Sequence, residues 1–272
     1  MSSAGAASLQ GRLRRALAGI GRRTRARTRF GLRLSSLVWG VLRELVRPGN
    51  WRRTVLGEFR RALRQSVGGG LGPTLVTAVL IGLAMVSQTL YWLSEAGEAG
   101  LIGSVIVTVV VRELTPILVG FILLGRSGMV TLSELAVLGA GGQAEALAAQ
   151  GLDPFLLLVL PRAAALALAA FTLAVLFVLA ALVTGFVTGS LLGAVTASLW
   201  SFLDGVLRAM QVADFVVFPA KMLIIGLLVA LTAALTGLDA DPGEDAARVL
   251  PRGFIRGTLA ILLASIALSF AV

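Results

Sequence analysis

Apolar residues dominate the chain from Leu71 onwards, and they fall into long runs separated by short polar segments. A helix crosses a hydrocarbon core of about 30 Å with roughly twenty residues, and five of the runs reach that length. The predicted spans cover residues 71–93, 101–124, 155–185, 215–238 and 254–270. The pattern therefore predicts an all-α membrane protein with about five transmembrane helices in a domain over residues 68–272.

The segment before the first span has a different pattern, because its apolar residues alternate with arginines at helical spacing. Residues 30–67 are predicted to form amphipathic helices that lie in the membrane interface, with a break at Pro48. Residues 1–29 contain no acidic residue and favour a flexible basic tail, although the same composition also resembles an organelle transit peptide.

The third apolar run leaves two topologies to compare. No charge occurs from Ala163 to Leu203, so this stretch has room for one span or for two. Asp153 and Pro154 predict a helix start, because an Asp side chain accepts free amide hydrogens and Pro suits the first helical position. A single span keeps the loop at residues 239–251 on the N-terminal side, as the excess of basic residues in cytoplasmic loops requires. We therefore expect a cytoplasmic N-terminus, five spans and an outer C-terminus.

The composition excludes several classes of function. The chain has no Cys and no His, which removes disulfides, thiol nucleophiles and the usual zinc ligands, so no metal site is predicted. The net charge is +10, yet sixteen of the twenty-four Lys and Arg residues precede Gly68. Because this basic segment adjoins apolar spans, anionic lipid is a more suitable partner for it than nucleic acid.

Two adjacent charges interrupt the second predicted span. Arg112 and Glu113 lie about halfway along it, and a charge at the centre of a membrane helix costs about 2.5 to 3.5 kcal/mol unless it finds a partner or a wet cavity. Pro116 also lacks the amide hydrogen that the Arg112 carbonyl would bind. Lys221, the only Lys in the chain, is a candidate partner for Glu113, and all three charges are substrate-path candidates. Arg112 and Lys221 together suit an anionic headgroup.

A string of short motifs follows these charges. It consists of Arg112-Glu113-Leu114 with Pro116, Gly125-Arg126 with Gly128, Glu134-Leu135, Gln143, Ala146-Leu147, Gly151 with Asp153-Pro154, and Pro161-Arg162. In order and spacing this string resembles the MlaE (YrbE) family of bacterial ABC-transporter permeases. The chain departs from the family pattern at Gly142, Gln150 and Thr115, which makes it a divergent member.

The resemblance implies a homodimeric permease in the bacterial inner membrane that works with a separate ATPase and an MCE-domain protein. Such a permease moves phospholipid or another hydrophobic molecule between the inner and outer membranes. By the same resemblance, one segment couples the permease to its ATPase through Gln143, Glu145, Leu147, Gly151, Asp153 and Pro154. No cofactor is expected on this chain, because ATP would bind the partner; the chain has no phosphate-binding loop of its own.

Two other functions stay open at this point. The first is an ion-coupled secondary transporter that uses Glu113 and Lys221 as a relay and needs no ATPase. The second is a membrane scaffold whose basic N-terminal segment recruits lipid or nucleic acid, but it gives no reason for charges inside the spans.

Overall fold

The computed structural model describes residues 28–193, 198–240 and 246–270. The predicted basic tail, except for its last two residues, and positions 241–245 of the predicted loop lie outside the described residues. The described part of the chain is helical almost throughout and contains no strand. Its helices are α1 (28–45), α2 (Arg53–Glu95), α3 (Ile102–Ala140), α4 (Gln143–Ala149), α5 (Phe155–Leu191), α6 (Leu199–Ala209), α7 (Val212–Leu238) and α8 (Ala246–Ser269).

The predicted all-α membrane fold is confirmed, because α2, α3, α5, α7 and α8 are long and apolar enough to cross a membrane. Each contains one of the five predicted spans, apart from Leu101 and Phe270, which lie just outside α3 and α8. The long uncharged run forms the single helix α5 and then α6, whose eleven residues extend only about 16 Å. That length is about half of a hydrocarbon core, so the one-span interpretation of this run is correct.

Two predicted boundaries fall inside helices. The division between residues 67 and 68 lies within α2, which runs unbroken from Arg53, so the basic stretch near Arg60 is the start of the first spanning helix. The helix that contains the second predicted span does not end at Leu124, because α3 continues through a π-helical turn at Leu124–Gly128 to Ala140. Gly128 in this turn lies close to α7, where a Cβ atom would be 3.0 Å from Val229 Cγ1.

The chain forms two units that divide after Arg43. The first unit contains most of α1, an uninterrupted helix over residues 28–45. A short 3₁₀ turn at Pro48–Asn50 separates α1 from α2, so the predicted break at Pro48 is confirmed. Within the second unit, the Glu44 carboxylate accepts hydrogen bonds from Arg47 Nη1 and Asn50 Nδ2, both at 2.7 Å.

Small residues bring the long helices close together. Gly82 and Gly189 of α2 and α5 lie against the partner helix, where a Cβ atom on Gly82 would meet the carbonyl oxygen of Ala181 at 2.5 Å. Gly226 of α7 faces the backbone of α5 in the same way. Packing of this kind is typical of membrane helices, in which close van der Waals contact replaces the hydrophobic effect. Helix α7 packs against α3, α5 and α8 and forms the centre of the bundle.

Helices α3 and α7 run parallel, since Gly120 and Gly139 of α3 meet Ile225 and Leu238 of α7 in the same order along the chain. Helix α8 runs the opposite way, because its Gly253 and Gly257 meet Leu132 and Leu124 of α3 in reverse order. We define the near end of the bundle as the end at which α2 begins and the far end as the end at which α2 finishes. Helices α3 and α5 are joined at the near end through α4, and α6 lies at the far end, where Phe202 and Val206 pack with Val86 and Ile106.

Candidate functional site

Arg112 lies in a π-helical segment of α3, Val107–Leu114. Such segments are frequent at functional sites, because the extra residue leaves part of the helical hydrogen-bond ladder unmade. Pro116 has no amide hydrogen to offer to the Arg112 carbonyl. That carbonyl instead accepts a hydrogen bond from Lys221 Nζ at 2.8 Å. The backbone acceptor that the sequence predicts to be free is therefore the group that holds Lys221.

The Arg112 side chain pairs with Asp214 in the first turn of α7. Arg112 Nη2 donates to Asp214 Oδ2 at 2.8 Å, and Nε lies 2.7 Å from Oδ1. Asp214 is buried, at 3% exposure, and its Oδ2 also accepts the backbone N–H of Gln211 at 2.8 Å in a capping box. The carboxylate thus neutralises Arg112 and caps α7 at once.

Sequence reasoning missed Asp214, because the fourth span was placed to begin at Phe215. A signal for it exists in the sequence. Gln211 and Asp214 have the spacing of a capping box, and Asp214 is the only acid between Asp204 and Asp239. An acid at that position, at the start of a span, is a natural partner for an Arg in a neighbouring span.

Lys221 is almost fully buried, and its predicted pairing with Glu113 is not what the structure shows. Its ammonium group donates to the Arg112 carbonyl and to Ser269 Oγ, each at 2.8 Å. Within the described part of the chain, no ion pair within 4.0 Å joins Glu113 to Lys221. Glu113 lines the same cavity as Lys221, and its charge acts on the ammonium group at longer range than a direct ion pair.

These groups surround one cavity of about 210 Å³ between α3, α7 and α8. We call Arg112, Glu113, Asp214, Lys221 and Ser269 the far-end cluster, after the position of Ser269 as the last residue of α8. The remaining wall of the cavity is mostly apolar and is formed by Thr108, Val111, Val217, Phe218 and Leu268. The structure therefore brings the three predicted substrate-path residues to one site, which has apolar walls and charges of both signs.

A second set of motif residues meets near the other end of the bundle. Arg162 of α5 donates from Nη1 to the Leu158 carbonyl at 2.9 Å and from Nη2 to Glu134 of α3 at 3.3 Å. Arg126 of α3 lines a cavity at this end of the bundle together with Glu134 and Arg162. We call Arg126, Glu134 and Arg162 the near-end cluster. The motif string of the sequence thus divides between two sites.

The predicted coupling segment forms α4 and the turns beside it. No residue of α4 is buried. The helix ends at Ala149, and two residues later Gly151 turns the chain with a φ of 75°, in the left-handed region that favours glycine. The Asp153 side chain then accepts the Phe155 amide hydrogen at 2.9 Å, so the predicted helix start at Asp153-Pro154 is confirmed.

Within this exposed connection, the predicted coupling residues divide by position: Gln143, Glu145 and Leu147 belong to α4, whereas Gly151, Asp153 and Pro154 form the turn into α5. The structure places them together on one exposed loop between α3 and α5.

A comparison with known families gives a match to the family described as Permease MlaE, over residues 59–271. The matched region begins near the start of α2 and includes every long helix, both clusters and α4.

Individual relatives are more distant. A "Probable ABC transporter permease protein ycf63" of Porphyra purpurea is 27% identical over 64% of this chain and 66% of its own length. A "Probable ABC transporter permease protein slr1045" of Synechocystis is 27% identical over 72% of this chain and 74% of its own length. "Protein TRIGALACTOSYLDIACYLGLYCEROL 1, chloroplastic" of Arabidopsis thaliana is 25% identical over 75% of this chain and 56% of its own length. The chain thus spans slightly less than two thirds of the Porphyra protein and just over half of the Arabidopsis protein.

Proposed function

The chain belongs to the MlaE permease family, and on that premise we propose that it is the membrane-spanning subunit of an ABC transporter. The transported molecule is a phospholipid or another hydrophobic molecule, and it moves between inner and outer membranes with a separate ATPase and an MCE-domain protein. The names of the relatives support the coarse part of this proposal, because two of them are called ABC transporter permeases.

The observation that carries the proposal is the far-end cluster. Four ionisable side chains lie within or at the start of spanning helices and line one cavity whose remaining wall is mostly apolar. Such groups are costly inside a membrane and mark substrate paths when they face a cavity. A purely structural role for these charges would need only the Arg112–Asp214 pair. It would give no reason for Glu113 and Lys221 to line the same cavity.

The charges of the cavity also bear on its ligand. Asp214 already neutralises Arg112, which leaves the Lys221 ammonium and the Glu113 carboxylate as the other two charges. These two suit a headgroup that carries a phosphate and a cationic group at once, whereas Arg112 and Lys221 alone would suit an anionic one. Acyl chains would then lie along the apolar walls at Val217 and Phe218.

The remaining parts of the proposal concern partners and orientation. The exposed α4 docks into the ATPase at the cytoplasmic side, so the near end is cytoplasmic and the far end faces the outer side of the inner membrane. Two copies of the chain form the permease, and ATP binds the ATPase subunit alone.

The decisive experiment measures ATP-driven lipid transport by the complex, purified with its ATPase and reconstituted into liposomes. Glu113→Gln and Lys221→Met each remove one charge from the cavity, and we expect transport to fall by about tenfold or more, since a lost charged contact costs roughly 1.5–3 kcal/mol. The matched control is Arg208→Gln, because Arg208 is exposed and forms an ion pair at 2.7 Å with Asp204, its neighbour on α6, outside the cavity lining. Unchanged transport in both cavity variants would contradict the proposed substrate path.

An ion-coupled secondary transporter is the alternative. It needs proton exchange between Glu113 and Lys221, and these side chains form no ion pair in the described part of the chain. Transport that continued without ATP and stopped when a proton gradient was dissipated would favour the alternative.

A further inference from the structure

A cavity of about 170 Å³ lies between α2, α3 and α5 at the near end of the bundle, remote from the far-end cluster. Both guanidinium groups of the near-end cluster line it. Arg162 is held in place by the Leu158 carbonyl and by Glu134. Arg126 differs, because no hydrogen bond or ion pair joins it to any residue that the structure describes. The site therefore contains an Arg with free donors beside an Arg of fixed orientation.

The backbone of α2 leaves room for Arg126. A Cβ atom at Gly69 would lie 3.3 Å from Arg126 Nε, closer than most side chains approach one another. Glycine at this position thus allows the guanidinium group to lie against α2 at the cavity wall, rather than extend away from the protein.

Three buried hydroxyl side chains complete the polar lining, those of Ser66, Ser127 and Thr131. In membrane helices a Ser or Thr hydroxyl usually donates to a carbonyl one turn earlier, as Thr172 and Thr184 do in α5. Among the described residues, none of the three hydroxyls at the cavity makes a hydrogen bond of this kind or any other. They are available as donors to a ligand.

The surroundings add positive charge. An open groove of about 540 Å³ shares Gln65 and Glu134 with the cavity, and Arg60, Arg61 and Arg64 line it. Together, the described residues that line the cavity and the groove include five arginines and one glutamate. Positive potential of this density attracts anions toward the cavity mouth.

From these observations we infer that the near-end cavity binds a phosphate group. Guanidinium forks and hydroxyl donors match the oxygens of a phosphate, and the cavity offers both. Ala62, Val130 and Leu166 form an apolar wall that suits the glycerol and acyl part of an anionic lipid. The phosphate group belongs either to such a lipid or to a free inorganic ion, and the two sources are separable by experiment.

The test uses the full chain in nanodiscs of phosphatidylcholine that contain a minor fraction of phosphatidylglycerol. Native mass spectrometry measures how much phosphatidylglycerol stays bound to the released protein. We expect selective retention by the wild type and a reduction of about tenfold in Arg126→Gln, which loses its charged donors. Gly69→Ala keeps every charge and shifts Arg126 by only a few tenths of an ångström, so it should lower retention less than Arg126→Gln does, with normal folding.

The matched control is Arg53→Gln, because Arg53 is an exposed residue at the start of α2 that does not line the cavity. Retained lipid that millimolar inorganic phosphate does not displace identifies the headgroup as the source. Binding of inorganic phosphate by titration calorimetry, dependent on Arg126 and without lipid retention, identifies the free ion. The inference fails if Arg126→Gln changes neither ligand, or if Arg53→Gln lowers retention equally. Neither readout involves transport, so these outcomes are independent of the proposed function.

Discussion

At the scale of single residues, the far-end cluster satisfies its charges in three different ways. Arg112 has a carboxylate partner, Lys221 has a backbone carbonyl and a hydroxyl as acceptors, and Glu113 faces the cavity. A buried ammonium group loses much less free energy when neutral acceptors replace its water. The cluster can therefore stay charged without an ion pair between Glu113 and Lys221, and Glu113 stays available to a ligand.

The Arg112–Asp214 pair leads to a prediction about stability. Asp214→Asn keeps an oxygen that can accept the Gln211 amide hydrogen but leaves Arg112 without its counter-charge. Because Arg112 is 30% exposed, we expect a loss of about 1–3 kcal/mol rather than the full penalty of a buried pair. Thermal unfolding in detergent measures the effect. In the double variant Asp214→Asn with Arg112→Gln the loss should be smaller than the sum of the two single losses, and additive losses would show that the two side chains do not interact.

Sequence reasoning identified Arg112, Glu113 and Lys221 because a charge inside an apolar run is conspicuous by composition alone. It missed Asp214 and the role of Ser269 because both lie at the ends of spans, where polar residues are common. It also did not predict that Lys221 binds the Arg112 carbonyl and Ser269 directly, since the direction of a side chain depends on helix rotation and on the local π geometry at Val107–Leu114. Neither of these can be obtained from residue spacing.

At the scale of helices, the arrangement depends on glycines that let neighbouring helices approach closely. The existence and number of spanning helices follow from the length of apolar runs, so they were predictable. The boundaries were not, because the basic residues before Gly68 and the polar residues after Leu124 continue existing helices. Tertiary packing against a neighbour outweighs the weak local preference of Gly and Ser to end a helix.

Gly226 provides a direct test of this packing. A Cβ atom there would meet the Leu166 carbonyl oxygen and lie 2.7 Å from Ala167 Cα, so Gly226→Ala forces α5 and α7 apart. We expect a loss of about 1–3 kcal/mol from overpacking, visible as a lower midpoint of thermal unfolding in detergent. Gly72→Ala makes the same chemical change where nothing lies within 4 Å of the new atom. It should be neutral or slightly stabilising, by about 0.5–1 kcal/mol, and equal midpoints for the two variants would refute the packing argument.

At the scale of the whole molecule, α3 connects the two polar sites. Its 39 residues extend about 58 Å and carry Arg112 and Glu113 near the far end and Arg126 and Glu134 toward the near end, where α4 follows. A displacement of α4 therefore reaches both sites through one element. The π turns at Val107–Leu114 and Leu124–Gly128 are places where such a helix can bend or change register.

Under the proposed function, an ATPase docked on α4 acts on the far-end cavity through this connection, and charge reversal on α4 tests that role. Glu145 is exposed and makes no hydrogen bond or ion pair in the described part of the chain. Glu145→Lys should therefore leave thermal unfolding unchanged, while co-purification of the ATPase falls by about tenfold, the effect of roughly 1.4 kcal/mol at an interface.

Asp153→Asn separates capping from charge at the other end of the segment, because Asn also accepts the Phe155 amide hydrogen. If Asp153→Asn weakens ATPase binding without lowering stability, then Asp153 acts through its charge at the interface. Full ATPase association in both variants would place the coupling surface elsewhere, and the link through α3 to the far-end cavity would lose its support.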